Sequence, residues 1–258
     1  MTPSDPTILA DRTVIVTGGA RGLGALYARA LAEASARVIV ADRLEAEGER
    51  VAAELSRQGG HAVFVRTDVA DDASTKEMAR QAEARFGRID VLVNNAAVYM
   101  DLERKTSFEQ LTVEEWDRVM AVNARGTWLC TKAVFTSMRR QGAGKVINIS
   151  SSAVHMGIPG FPHYVASKAA VIGLTRALAN ELGRCGITVN ALAPGLVANE
   201  ASELLSGAEY VAAARRKRAL QRTMVAEDLL GALIFLASPA SDFVTGQTLV
   251  VDGGAVMA

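Results

Sequence analysis

Residues 14–24 have the sequence Val-Ile-Val-Thr-Gly-Gly-Ala-Arg-Gly-Leu-Gly, a short apolar strand followed directly by a loop rich in glycine. Residues 23–34 then carry apolar side chains at helical spacing. Glycine at position 18 permits a tight turn, and Gly22 and Gly24 allow the backbone to approach a pyrophosphate and to pack closely. Because the first N–H groups of a helix attract phosphates, this strand, loop and helix predict a dinucleotide-binding site.

The rest of the chain alternates short β-branched runs with longer Ala-rich runs of helical spacing. Strands are predicted at residues 14–17, 37–41, 62–66, 89–93, 145–149, 187–191 and 249–251. Strands that are apolar on both sides and separated by helices indicate a parallel sheet covered on both faces. Since crossovers between parallel strands are right-handed, the predicted fold class is α/β, an open, doubly wound parallel sheet. Ligands of such sheets bind beyond the carboxyl ends of the strands.

The composition excludes several classes of protein. The chain has 258 residues, 50% of them hydrophobic, and its 28 basic side chains balance 28 acidic ones. A neutral chain lacks the basic excess with which proteins bind nucleic acid or anionic membranes, and no apolar run approaches the ~20 residues that span a bilayer. Two cysteines cannot form a disulfide framework, and residues 1–6 do not have the pattern of a secretory signal. We expect one cytoplasmic domain over residues 1–258 and no metal site.

The end of the second predicted strand indicates which dinucleotide binds. Asp42 lies there, about 20 residues after the glycine loop, where an acidic side chain accepts hydrogen bonds from the ribose hydroxyls of an adenosine. Its charge would repel a 2′-phosphate, which favours NAD over NADP. Arg21 and Arg43 support the alternative, since either side chain could bind that phosphate. The prediction is NAD, with NADP as the less favoured cofactor.

Two further strand ends carry polar residues. Asp68 follows the third strand and is predicted, with the backbone of Val69, to bind the adenine; the alternative is a helix N-cap, for which Asp71 is better placed. Asn94 and Asn95 follow the fourth strand, where their amides can tie strand ends together and line the cofactor site.

The strongest sign of catalysis is the pair Tyr164 and Lys168, four residues apart and therefore on one face of a helix. A nearby ammonium is expected to lower the pKa of the phenol, so that it exchanges a proton with a substrate oxygen near neutral pH. Taken alone, such a pair is more commonly an ordinary helix face, with the phenol half-buried and the ammonium in water. Ser151, at the end of the fifth strand, could hold the same substrate oxygen. Asn123, within a helical stretch predicted over residues 113–138, either satisfies a local carbonyl or helps to order water.

The sequence resembles the short-chain dehydrogenase/reductase family over nearly all of its length. The matching positions are the glycine loop, Asn94, Asn95 and Ala96, the set Asn123, Ser151, Tyr164 and Lys168, Pro194 and Gly195, and residues 251–254. The resemblance implies a single-domain Rossmann-type sheet of about seven strands and a homotetramer. It also implies that Tyr164 is the general acid/base, that Ser151 orients the carbonyl, that Lys168 holds the nicotinamide ribose and that Asn123 supports a proton relay.

The resemblance assigns the cofactor contacts residue by residue. The predicted cofactor-binding residues are Gly18, Arg21, Gly22, Leu23, Gly24, Asp42, Asp68, Val69, Asn95, Tyr164, Lys168 and Val197. The sequence departs from the family pattern at two positions. Ala97 stands where glycine is common, and Asn199 stands where a threonine often binds the carboxamide.

The substrate is predicted less closely than the chemistry. Residues 98–101, 153–161 and 196–222 should form a pocket whose apolar side chains favour a fairly hydrophobic secondary alcohol or ketone, with hydride moving reversibly to and from NAD. Residues 196–222 are predicted to be a mobile lid with long helices, and the basic run 215–218 either binds an acidic group or is a solvated face. His155 and His163 are either polar anchors or solvated. The alternatives are an NADPH-dependent 3-oxoacyl-(acyl-carrier-protein) reductase, a sugar or polyol dehydrogenase, and a non-catalytic dinucleotide sensor.

Overall fold

Seven parallel strands form one sheet in the computed structural model, which describes residues 7–99, 102, 105–198, 202 and 207–257. The strands are β1 Thr13–Thr17, β2 Arg37–Asp42, β3 His61–Arg66, β4 Val91–Asn94, β5 Gly144–Ile149, β6 Ile187–Pro194 and β7 Thr248–Val251. Their order in the sheet is β3-β2-β1-β4-β5-β6-β7, so the winding direction changes between β1 and β4. The predicted α/β class, the doubly wound Rossmann-type sheet and its seven strands are confirmed.

Helices cover both faces of this sheet. They are α1 Gly22–Glu33, α2 Glu45–Arg57, α3 Asp72–Phe86, α4 Val113–Met120, α5 Gly126–Gln141, α6 Ala153–Met156, α7 Pro162–Leu182, α8 Ala208–Ala214 and α9 Leu230–Ala237. Side chains of β1 alternate between two cores, because Val14 and Val16 pack with α1, α2 and α9 while Ile15 packs with α3, α5 and α7. Each fully buried Val or Ile of this kind stabilises the fold by roughly 1.5–3 kcal/mol.

The helical stretch predicted over residues 113–138 is interrupted. Thr112 and Glu115 form a reciprocal capping box that starts α4, but a π-helical turn, Ala121–Arg125, separates α4 from α5. Such turns bulge out of the helix and are frequent at functional sites. The interruption places Asn123 on a bulge rather than on a regular helix face.

The predicted lid does not have long helices where the structure describes it. Within residues 207–222, α8 has seven residues and continues only as a short 3₁₀ turn, Arg215–Lys217. Asn199, the second departure from the family pattern, lies outside the described residues. The extent of the domain, residues 1–258, stays a prediction. No helix in the described part of the chain is both long and apolar enough to cross a membrane.

Candidate active site

A cavity of about 440 Å³ opens at the carboxyl ends of the strands. Of the predicted site residues, those that line it are Gly18, Arg21, Gly22, Leu23, Gly24, Asp42, Asp68, Val69, Asn95, Ser151, Tyr164, Lys168 and Val197. Asn123 is the one predicted site residue outside this lining. The fold therefore brings the glycine loop, the acidic strand end and the Tyr-Lys helix to one site.

The glycine loop packs too closely for any side chain at two positions. Gly18 has φ of +64°, and a Cβ added there would lie 2.8 Å from the Cα of Ala96. A Cβ at Gly24 would lie 1.9 Å from the carbonyl oxygen of Gly18. The amide of Asn95 fixes the loop by donating to the carbonyl oxygens of Thr17 at 3.0 Å and Gly18 at 3.1 Å.

The start of α1 fits a pyrophosphate. Its N-cap residue, Arg21, makes no side-chain cap hydrogen bond, and Gly22, Leu23 and Gly24 of its first turn line the cavity. Uncapped N–H groups at a helix N-terminus, next to backbone without side chains, form a binding site for an anion.

Asp42 presents a fixed carboxylate to the same cavity. Its Oδ2 accepts a hydrogen bond from the Ala20 N–H at 3.0 Å, and its Oδ1 accepts one from the Leu44 N–H at 3.1 Å. Each carboxylate oxygen has a further lone pair, so both remain able to accept from a pair of ribose hydroxyls. Arg21 and Arg43, the residues that would favour a 2′-phosphate, are exposed and also line the cavity.

Asp68 lies exposed at the end of β3 and lines the cavity. Its Oδ1 accepts a hydrogen bond from the Ala70 N–H at 2.9 Å. Asp71, not Asp68, caps α3 by accepting from the Ala73 N–H at 2.9 Å, as the sequence predicted. The N-cap alternative for Asp68 is therefore excluded, and its carboxylate can contact a ligand.

Helix α7 is fixed to the end of β5 at Lys168. The ammonium of Lys168, which is 3% exposed, donates to the carbonyl oxygen of Ile149 at 2.7 Å. In the reverse direction, the hydroxyl of Ser150 donates to the carbonyl oxygen of Lys168 at 2.9 Å. The Lys168 Nζ lies 5.8 Å from the centroid of the Tyr164 ring. The pair thus shares one helix face beside the cavity, as its spacing predicted.

The pKa of the Tyr164 phenol differs from the expectation. Burial raises this pKa strongly, Tyr99 raises it further, and a side-chain hydrogen bond with Ser151 lowers it. Burial also lowers the pKa of Lys168 to about 8. The expected lowering of the phenol pKa by the ammonium is therefore not found, because burial is the largest cause of the shift and the lowering contribution comes from Ser151.

Asn123 connects backbone elements around the site. Its Oδ1 accepts a hydrogen bond from the Val98 N–H at 2.7 Å, and its Nδ2 donates to the Ser167 hydroxyl at 3.0 Å. Ser167 in turn donates to the carbonyl oxygen of Tyr164 at 2.8 Å. Of the two roles open from the sequence, satisfying local polar groups is the one that these contacts support. The side chain lies behind the cavity wall and joins the segment after β4 to α7.

Two aromatic rings lie next to the Tyr164 phenol. The ring centroid of Tyr164 lies 5.1 Å from that of Tyr99 and 6.4 Å from that of Phe161. The ammonium of Lys105 lies 4.5 Å above the Tyr210 ring of α8 and 5.7 Å from the Phe161 ring. Sequence reasoning did not single out Lys105 or Tyr210. The sequence did contain a signal for Tyr210: it stands seven residues, or about two helical turns, before Lys217, a spacing that places both residues on one helix face.

The two histidines, predicted to lie in a loop, belong to helices α6 and α7 and do not line the cavity. His155 is exposed. His163 is 3% exposed, its Nδ1 has no hydrogen-bond partner among the described residues, and burial lowers its pKa. Apolar lining is supplied instead by Val98, Met156 and Ile158, as predicted. Among the described residues, no cluster of His, Cys, Asp and Glu side chains could hold a metal ion.

The comparison with known proteins agrees with this site. The family model described as enoyl-(acyl carrier protein) reductase matches residues 18–256. The chain belongs to the short-chain dehydrogenase/reductase family. It is therefore an oxidoreductase of that family, whose members bind NAD or NADP.

Three relatives from this family show the range of substrates. A 3-oxoacyl-[acyl-carrier-protein] reductase from Synechocystis sp. is 39% identical over 97% of this chain and 99% of its own length. A probable galactose dehydrogenase from Rhizobium meliloti is 37% identical over 95% of each chain. The crystal structure of a gluconate 5-dehydrogenase from Burkholderia cenocepacia, in complex with NADP and tartrate, superposes with a TM-score of 0.91 at 37% identity over 97% of each chain.

Proposed function

We propose that this member of the short-chain dehydrogenase/reductase family transfers hydride reversibly between NAD and a fairly hydrophobic secondary alcohol or ketone. The observation that carries the proposal is that Ser151, Tyr164 and Lys168 line the same cavity as the glycine loop and Asp42. The names of the relatives, which are reductases and dehydrogenases, support the reaction type.

The chain's own residues transfer one proton to or from the substrate oxygen. A nicotinamide held in this cavity would supply the hydride chemistry. Tyr164 Oη takes the hydroxyl proton in oxidation and donates it in reduction, while the Ser151 hydroxyl holds the substrate oxygen beside it. The Lys168 ammonium would bind the ribose next to the nicotinamide and would supply positive charge. Because burial raises the pKa of Tyr164, the phenol is protonated at neutral pH and acts first as the acid of the reduction.

The choice of NAD over NADP rests on Asp42. Its carboxylate is fixed by two backbone N–H groups, would accept hydrogen bonds from the ribose hydroxyls, and would repel a 2′-phosphate by its charge. The relative crystallised with NADP gives the opposite expectation, so the cofactor preference is a direct test. The homotetramer and the cytoplasmic location that the sequence predicts belong to this proposal and stay predictions.

Removing the phenol oxygen tests the proposed chemistry. Tyr164→Phe should lower kcat at least ~10²-fold in NAD-linked oxidation of a panel of secondary alcohols, since general acid/base assistance contributes that much. Tyr27→Phe is the matched control, because Tyr27 is fully buried away from the cavity and its hydroxyl has no partner among the described residues. Near-normal turnover by Tyr164→Phe would overturn the assignment.

A 3-oxoacyl-(acyl-carrier-protein) reductase is the second candidate, favoured by the 39% identity to the Synechocystis protein. The exposed arginines Arg21 and Arg43 line the cavity and are compatible with binding of the NADPH that this candidate function requires. A preference for NADPH together with turnover of a 3-oxoacyl thioester would favour this candidate. A preference for NAD together with oxidation of free secondary alcohols would exclude it.

A further inference from the structure

Helix α8 and the 3₁₀ turn after it present one face to the cavity. Tyr210, Ala213, Ala214 and Lys217 all line it. The last three follow Tyr210 by three, four and seven residues, as expected for one helix face. An aromatic ring and two methyl groups therefore precede an ammonium along the same wall. A ligand lying along this wall meets an apolar surface first and a positive charge about two helical turns further on.

Arg218, the next residue, contributes its cation to the fold. It is 5% exposed, and its guanidinium donates to the carbonyl oxygens of Leu196 at 2.6 Å and Arg222 at 3.1 Å. The carboxylate of Asp252 lies near enough to stabilise its charge. These contacts connect the segment after α8 to the loop after β6. The solvated-face alternative for the basic run is therefore wrong at Arg218.

The other cations near this wall differ from Lys217 in what they contact. Arg215 and Arg216 are exposed and do not line the cavity. Lys105 lies over the rings of Tyr210 and Phe161. Lys217 lines the cavity, is exposed, and forms no ion pair with any residue that the structure describes.

The acidic residues of the cavity leave this charge uncompensated. Asp42 and Asp68 follow β2 and β3, on the nucleotide side of the site. Asp252 already accepts hydrogen bonds from the N–H groups of Gly254, Ala255 and Val256 at 2.9–3.0 Å. Among the described residues that line the cavity, no carboxylate forms an ion pair with Lys217.

We propose that the substrate carries a carboxylate and that the Lys217 ammonium binds it. The substrate's apolar body would lie between the rings around Tyr164 and the apolar face of α8, and its charged end would lie at Lys217. This inference rests on the proposed function of the cavity. It specifies that function as oxidation of a hydrophobic hydroxy acid, or reduction of the matching oxo acid.

Binding of two probes of nearly equal shape tests the inference without requiring turnover. Cyclohexanecarboxylate and cyclohexanecarboxamide are titrated against the NAD-loaded full chain by calorimetry. The wild type should bind the carboxylate at least ~5-fold more tightly than the amide, because a hydrogen bond between two charged groups is stronger than one to a neutral group. Lys217→Gln should abolish this preference and leave the affinity for the amide unchanged, and Lys217→Arg should restore most of it.

Arg216→Gln is the matched control, because it removes the neighbouring charge outside the cavity, and it should leave both affinities unchanged. Equal binding of the two probes by the wild type would overturn the inference, as would an equal loss in Lys217→Gln and Arg216→Gln. A turnover assay with 4-hydroxycyclohexanecarboxylate runs in parallel. A carboxylate preference that depends on Lys217, without turnover of any alcohol, would refute the proposed function and leave the binding site in place.

Discussion

The glycine loop after β1 and the Tyr-Lys face of α7 line one cavity but contribute to the protein in opposite ways. In the glycine loop, close backbone packing and the hydrogen bonds of Asn95 stabilise the fold and shape the site together. On α7, the half-buried Tyr164 phenol and the buried Lys168 ammonium have lost hydration, and their pKa values are displaced from the ordinary ones. Substitutions that remove function should therefore lower the free energy of unfolding in the glycine loop and raise it on α7.

The largest effect is expected in the glycine loop. Gly24→Ala should abolish cofactor binding and lower the free energy of unfolding by about 3 kcal/mol or more, because the added methyl group would lie 1.9 Å from the Gly18 carbonyl oxygen. Gly173→Ala is the control within α7, where no atom lies within 4 Å of the added Cβ, and it should be neutral or stabilising by up to about 1 kcal/mol. Denaturant titration and calorimetry with NAD measure both. Equal behaviour of the two variants would contradict the close packing of the loop.

The sequence could predict the glycine-loop region because its determinants are local. A strand, glycines at fixed spacing and a helix start lie within residues 14–24, and an acidic strand end follows at Asp42. These constraints come from backbone geometry and do not depend on what packs around them. The predicted contacts of this region accordingly all reach the cavity.

The other region depends on tertiary contacts, and prediction there was less complete. Asn123 lies on a π-helical turn, and the spacing of apolar residues does not predict such an interruption of a helix. The direction of the shift in the Tyr164 pKa depends on burial and on Tyr99, a residue distant in sequence whose ring lies 5.1 Å away. Arg218 binds backbone carbonyl oxygens, whereas Lys217 lines the cavity. The sequence could not separate these roles, because it shows only two adjacent basic residues.

A smaller effect is expected at Asp42, where function changes and the fold does not. Asp42→Asn keeps one acceptor for the backbone N–H groups but removes the charge, so kcat/KM with NAD should fall roughly 10- to 100-fold and kcat/KM with NADP should rise. The ratio of the two values measures the switch. Asp71→Asn, the same change at the N-cap of α3 outside the cavity, should leave the ratio unaltered because asparagine also caps helices. An unchanged ratio in Asp42→Asn would remove Asp42 from cofactor selection.

The smallest effect, and the one of opposite sign, is expected at Lys168. Burial lowers its pKa from 10.5 to about 8, so the folded protein binds this proton less readily than the unfolded chain. Below pH 8, Lys168 is charged in both states and the full cost of burying the charge lowers the stability. Between pH 8 and pH 10.5 only the unfolded chain keeps the proton, so the free energy of unfolding rises with pH and the cost disappears. Lys168→Met should therefore be more stable than the wild type by about 1–2 kcal/mol at pH 7, after the loss of the hydrogen bond to Ile149 is subtracted.

Denaturant unfolding of both proteins at pH 7 and at pH 10 measures this difference. The advantage of Lys168→Met should be largest at pH 7 and small at pH 10. Lys76→Met removes an exposed ammonium that pairs with Asp72, and it should change the free energy of unfolding by less than about 0.5 kcal/mol. If Lys168→Met proved less stable than the wild type at pH 7, the ammonium would be stabilised in the fold. The Tyr-Lys face would then resemble the glycine loop, because its function and its stability would act in the same direction.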